Sequence, residues 1–281
     1  MFGRNKLAAI LAALVVVLIP FGLKAQNSKE SNTNGNNKIF LSFVKEIQLE
    51  DFKKGDFESN AELNARRTEY MKKMGDGRGW SIRLPISNPK NSREKIVYFN
   101  VDTSEVKVDL PRVNRSLVWM EIGGKNELRW LHNSFIAVES ETEKLRSYKA
   151  SNRLGASIDV VEMSTKRYGF SVLSKATEDY GKDFTQKYSA TIDKNIAKDL
   201  LSDGYIVFDL ILDNGYPLAK DNPILLKNED TTKPTFDYPF DIKDVKYSVP
   251  VRLIKISLFS KSGDRINSFD GTYTSGNALS K

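Results

Sequence analysis

The sequence predicts an α+β protein, mainly antiparallel β, sandwich-like or with layered sheets, and carrying two or three amphipathic helices. Three observations lead there. Short runs rich in β-branched and aromatic residues recur along the chain, several with two-residue alternation. Glycine-containing turns separate some of these runs at hairpin distance. Strands and helices do not alternate regularly, which disfavours a doubly wound parallel sheet.

Taken in order, residues 1–25 read as a signal peptide. Arg4 and Lys6 precede an aliphatic run from Leu7 to Leu23, and Lys24-Ala25-Gln26 offers a small residue at the cut. The alternative is an uncleaved anchor that makes the protein a membrane-tethered subunit, because the run is close to spanning length. After cleavage no stretch is apolar enough for a stable membrane span. Residues 26–38, QNSKESNTNGNNK, are polar and rich in Asn and Ser, and predict a flexible tether. Residues 39–281 form the β-rich folded region, either as one unit or as two subdomains split near 140–155, where the composition turns polar.

Strands are expected at Ile39–Leu49, Trp80–Leu84 and Lys95–Val101. Glu105–Leu110 alternates strictly, with Val106, Val108 and Leu110 on one face and Glu105, Lys107 and Asp109 on the other. Leu117–Ile122 and Leu128–Val138 flank Gly123-Gly124-Lys125-Asn126, a hairpin pattern. Further strands are expected at Ser157–Met163, Gly169–Leu173, Tyr205–Leu212 and Val251–Phe259. The last leads through Lys261-Ser262-Gly263-Asp264 into Arg265–Phe269, with Gly263 supplying the positive φ of a tight turn. Helices are expected after Asn60, where Leu63, Tyr70, Met71 and Met74 precede Gly75, and over Thr191–Ser202. That second helix shows a stripe of Ile192, Ile196, Leu200 and Leu201 ahead of Gly204. Ala176, Tyr180, Phe184 and Tyr188 have the spacing of a third, weakened by Gly181.

Composition removes several chemistries. The chain has no cysteine, so disulfides, thiolate nucleophiles and thiolate metal sites are ruled out. Its formal charge of +7 includes Arg4, Lys6 and Lys24 with no acid among the first 25 residues, leaving +4 beyond them. Those charges are interspersed, whereas a nucleic-acid binder concentrates them on one face. No nucleic-acid partner is expected. His132 is the only histidine, which removes histidine-bridged metal sites and two-histidine acid–base pairs. In LRWLHNSF it reads as an imidazole beside Leu128 and Trp130, with no nucleophile motif nearby. Gly169-Phe170-Ser171-Val172-Leu173 lacks the final glycine of a nucleophile elbow. Gly75-Asp76-Gly77-Arg78-Gly79 follows a helix and precedes a strand, the reverse of a phosphate loop.

Carboxylates remain. Asp209 and Asp213 share a strand face at roughly 13 Å, given about 3.3 Å per residue, too far for a glycosidase pair. Glu229, Asp230, Asp237, Asp241 and Asp244 lie in a stretch that reads as a solvated loop, without the ligand register of a calcium loop. Asn114-Arg115-Ser116 fits a glycosylation acceptor, a tripeptide that also arises by chance. No catalytic, cofactor-binding or metal-ligating residue is assigned, and no cofactor is expected.

The aromatics Trp80, Trp119, Trp130, Tyr205, Phe208 and Phe259 fall in expected strands, where burial is their ordinary role. TFDYPF differs, because Phe236, Tyr238 and Phe240 alternate around Asp237 and Pro239 in a loop-like setting. These three are the candidate partner contact. No motif carries a resemblance to a named family. The sequence therefore points to an exported, non-enzymatic structural or protein-binding component of an envelope-associated assembly, such as a periplasmic filament, sheath or surface structure. Its partners would be other proteins of that assembly, in the periplasm or at the cell surface. The competing reading is a carbohydrate-binding module or carboxylate-dependent glycosidase.

Overall fold

In the computed structural model, residues 33–49, 55–74, 78–87, 96–110, 114–122, 125–151, 155–173, 187–213 and 225–271 are described. The signal segment, the first part of the tether, Gly75–Gly77 and the third helix expected near Ala176–Phe184 lie outside them. The described chain is mostly β-strand, with three helices.

The first element corrects the sequence reading. Thr33–Leu49 is a helix, α1, beginning inside the stretch expected to be a tether and running through the stretch expected to be a strand. The reason lies in its spacing: Phe40, Phe43, Val44 and Ile47 recur at three and four residues, and all four are buried. The apolar density of KIFLSFVKEI hid that period. α2 (Asn60–Met74) forms after Asn60 as expected, started by a capping box that the sequence reading missed. The Glu62 N–H donates to Ser59 Oγ at 3.2 Å, and the Ser59 N–H to Glu62 Oε2 at 2.8 Å.

An eight-stranded sheet forms the body. Its path is β1 (Gly79–Pro85), β8 (Tyr205–Leu212), β10 (Phe240–Phe259), β6 (Ser157–Leu173), β5 (Lys125–Ser151) and β4 (Asn114–Ile122). β9 (Leu226–Thr232) and β11 (Arg265–Asp270) also pair with β10. Because Val251 pairs with both Val172 and Leu212, β6 and β8 lie on opposite sides of β10. β9 then continues the β8 side and β11 continues the β6 side. All pairs are antiparallel except β6 with β10, which is parallel. A second sheet, antiparallel, joins β2 (Val97–Asn100), β3 (Glu105–Asp109) and β7 (Lys187–Thr191).

The two sheets share one core. Ile82, Phe208, Ile256 and Phe269 form one cross-strand row of the large sheet, with Trp80, Leu210 and Leu253 in the next. On the same face, α1 sets Phe40 5.4 Å and Phe43 5.0 Å from the Trp80 ring. Val97, Val106, Val108 and Tyr188 reach the same core from the small sheet, and Tyr188 lies 5.7 Å from Phe269. The strict alternation read at Val106, Val108 and Leu110 is thus realised as burial of all three. α1 also closes the sheet edge. Asn37 donates to the Arg83 carbonyl at 2.8 Å and accepts from the Arg83 N–H at 3.1 Å, satisfying groups that an edge strand leaves open.

Both predicted hairpins form: Ile122 pairs with Lys125, and Ser260 to Asp264 closes β10 onto β11 with Gly263 at φ 93°. The last helix, α3, begins later than expected. It spans Lys194–Asp203 with Asp193 as N-cap, while Thr191 ends β7. Ala197 and Leu200 are its buried residues, and Ile196 is exposed.

Candidate functional site

The candidate site grows out of the sheet rather than out of a cleft. Past Tyr168 and Tyr247, whose rings stack at 5.5 Å, the body's core cluster ends. The strands do not. β5 continues to Ser151, β6 begins at Ser157, and β10 starts at Phe240 with β9 beside it. They make a four-stranded arm, ordered β9-β10-β6-β5. Its reach is on the order of 40 Å from Glu139 to Ser151, at about 3.3 Å per residue.

This overturns one expectation. The acid-rich stretch around 229–244, read as a solvated loop, is mostly β9 and the start of β10, and the polar stretch beginning at 139 is regular strand as well. Neither has the alternation that burial on one face would impose. Cross-strand polar pairs do that work here. Arg167 Nε donates to Asp244 Oδ1 at 3.0 Å, Lys246 Nζ to Asp230 Oδ2 at 2.8 Å, and Arg146 pairs with Glu162. Glu229 lies 2.5 Å from Lys227 and 3.3 Å from Lys243. The hydrogen bond from Lys227 is the main cause holding the Glu229 carboxyl below its ordinary range. Thr142 and Thr165 share a 3.1 Å hydroxyl hydrogen bond across β5 and β6. Tyr148 donates to Asp241 Oδ2 at 3.0 Å, and desolvation, then this bond, pushes its hydroxyl upward.

The predicted contact residues sit at the far end of this arm. Because β6 and β10 run parallel, the β5–β6 turn and the β9–β10 turn lie at the same end. In the latter, Thr235 and Tyr238 exchange backbone hydrogen bonds of 2.9 and 3.2 Å, and the Tyr238 N–H also reaches Thr235 Oγ1 at 3.1 Å. This turn holds Phe236 53% exposed and Tyr238 38% exposed. Phe240, expected in the loop, is instead the first residue of β10 and half-buried, with its ring 5.1 Å from Tyr238. The structure therefore brings the three together while exposing two.

The other sequence candidates are placed elsewhere. Trp80 and Phe208 are buried in the core, and Tyr205 stacks on Phe259 at 5.0 Å across the opposite sheet face. Asp209 accepts a 2.5 Å hydrogen bond from Ser81, and Asp213 follows the end of β8. Register sets Trp119 opposite Leu128, Trp130 opposite Leu117 and His132 opposite Arg115, with their side chains outside the described residues. Asn114 is the first residue of β4. No protein family, no curated protein and no solved structure matches this chain.

At its root the arm is tied to α1. Lys45 Nζ lies 2.8 Å from Glu141 and 3.3 Å from Glu139, and 4.8 Å from the centre of the Tyr168 ring. The Glu141 hydrogen bond raises the Lys45 pKa and lowers that of Glu141. Sequence reading missed Lys45, since nothing along the chain links it to acids some 94 and 96 positions away.

Proposed function

We propose that this chain is an exported, non-enzymatic structural or protein-binding component of an envelope-associated assembly, in the periplasm or at the cell surface, and that it meets a protein partner through the tip of its arm. One observation carries the reading: Phe236 and Tyr238 stand exposed on a hydrogen-bonded turn at the end of a polar-faced arm rooted in the body. Large aromatics on a rigid turn are what a protein interface uses as anchors, since they contribute apolar area at low entropic cost. The arm's charged faces keep the rest of the projection soluble. The signal-like start, the absent cysteine and the single histidine support the same reading. The two sheets over one core suit the layered fold expected for a body that carries such an arm.

The test is sedimentation of the chain from gently lysed source cells, beside a Phe236→Ser/Tyr238→Ser variant. The wild type is expected to travel with a large particle whose members mass spectrometry identifies, and the variant to remain at the top of the gradient. A wild type that sediments free, or a variant that travels with the particle equally well, overturns the proposal.

A further inference from the structure

We propose that the outer edge of β5 is a self-association site, at which two copies of this chain pair antiparallel over residues 139–150. This does not rest on the arm-tip reading, and it concerns a different surface.

Beyond Asn133, which faces the first residue of β4, only β6 pairs with β5 among the described residues. The other edge of the strand therefore presents backbone N–H and C=O groups along the arm, a template for strand addition. Most exposed edges are protected by charge and bulges, and this one has both. Its charges, however, are ordered. Glu139, Glu141 and Glu143 come first, then Lys144, Arg146 and Lys149. Residues 141–147 are exposed, and just inside the basic block, between Lys144 and Arg146, stands Leu145, 51% exposed.

The bulge decides how the edge can pair. Glu143 opposes Ser164, Lys144 opposes Met163 and Arg146 opposes Glu162, so Leu145 is the extra residue. Glu143 and Arg146 consequently point to the same face despite being three apart. An antiparallel partner must match face to face, and the register that does so sets Glu143 of one copy opposite Arg146 of the other. By symmetry this happens twice. The same register sets Glu141 opposite Tyr148 and Ser140 opposite Lys149, and brings both Leu145 side chains beside the two-fold axis. Opposite charges across a strand pair are favourable, and like charges are not. A parallel stack of identical strands would place Glu on Glu and Arg on Arg. The pattern therefore deters open-ended stacking while admitting one closed, two-fold pair. Arg146, although it pairs with Glu162, keeps 70% of its side chain exposed and has room for a second carboxylate.

The absence of cysteine provides a clean experiment on the full chain, in the form the expressing cell leaves it. Leu145→Cys should crosslink to a dimer with a short bis-maleimide, and Phe236→Cys, equally reachable, should not. In sedimentation equilibrium, Glu143→Lys and Arg146→Glu should each weaken self-association at least tenfold, since each sets two like-charge pairs across the axis. Mixed in equal amounts, the two variants should regain it as a heterodimer, because both pairs become attractive again. This rescue separates the proposed register from a loss of folding. The proposal is overturned if the wild type stays monomeric at about 100 µM. Leu145→Cys crosslinking no faster than Phe236→Cys, or a mixture no tighter than its components, overturns it equally.

Discussion

The two halves of β10 are one strand in one sheet, yet they are held in place by different physics. From Ser248 to Leu258, β10 runs between β6 and β8, then between β11 and β8, and most of its side chains are buried. From Phe240 to Tyr247 it runs between β6 and β9, and Val245 alone is buried. The first half is held by apolar surface removed from water, which contributes roughly 25 cal/mol per Å². The second is held by ladder hydrogen bonds and pairs such as Arg167 with Asp244, each with a modest net contribution. A polar ribbon of this kind is marginal by itself. Its order is inherited from the body through three continuous strands, so the arm should be the first part to open.

The largest test of that contrast is a core truncation. Phe208 is fully buried in the row shared with Ile82 and Ile256. Phe208→Ala should cost about 3–5 kcal/mol in urea unfolding. A loss no greater than that of an arm variant would break the comparison. Next comes the joint. Val138 is the extra residue of a bulge in β5, and the opposing Gly169 lets the strands close: a Cβ there would lie 2.0 Å from the Ile136 carbonyl oxygen. Backbone cannot yield as a side-chain tip can. Gly169→Ala should destabilise by about 2–3 kcal/mol, and hydrogen exchange should then quicken in both halves, because the joint belongs to both.

The same contrast explains what the sequence made legible. Tyr205–Leu212 and Glu105–Leu110 were readable because one face is buried, and burial writes alternation into a strand. The arm has no such face over most of its length. Residues 141–147 and Glu229–Thr232 are exposed throughout, and their β character resides in cross-strand pairing that no local window contains. The α1 error is of another kind. Its helical period was present at Phe40, Phe43, Val44 and Ile47, but the surrounding Ile39, Leu41 and Leu49 blurred it into an apolar run. Of the candidate contact residues, Phe236 and Tyr238 were legible as turn aromatics from their place beside Pro239 in a turn-like segment. The arm that presents them was not, since it depends on β6 and β10 aligning in parallel, as with Phe240 opposite Val161, 240 − 161 = 79 positions apart.

A smaller effect is expected within the arm. Arg167 and Asp244 have side chains 23% and 20% exposed, so Arg167→Ala leaves a half-buried carboxylate without its donor. A loss of about 1–2 kcal/mol should follow. Hydrogen exchange should localise it: amides of residues 140–147 and 241–246 should lose protection, and those of Ile206–Leu212 should keep theirs. Equal loss in both would mean that arm and body open together.

The smallest effect tests the tie between the two regions. Lys45→Met removes the cation that bridges α1 to Glu139 and Glu141. All three side chains are more than a third exposed, so solvent screening limits the loss to about 0–1 kcal/mol. Its pH dependence is more informative than its size. Glu141 is held below its ordinary pKa, so its share of stability is complete above the ordinary carboxylate range and is lost as pH falls through the depressed value. Lys45 is raised, so its share is complete below the ordinary lysine range and is lost as pH climbs through the raised value. The difference between wild type and Lys45→Met should therefore be widest near neutrality, closing in acid below the ordinary carboxylate range and again in alkali above the ordinary lysine range. Urea midpoints at those three conditions measure it. A difference that persists at acid pH would assign the role of Lys45 to its ammonium over the Tyr168 ring rather than to the glutamates. The arm would then be joined to α1 by that cation–ring contact, and its dependence on ion pairs would begin farther out than Tyr168.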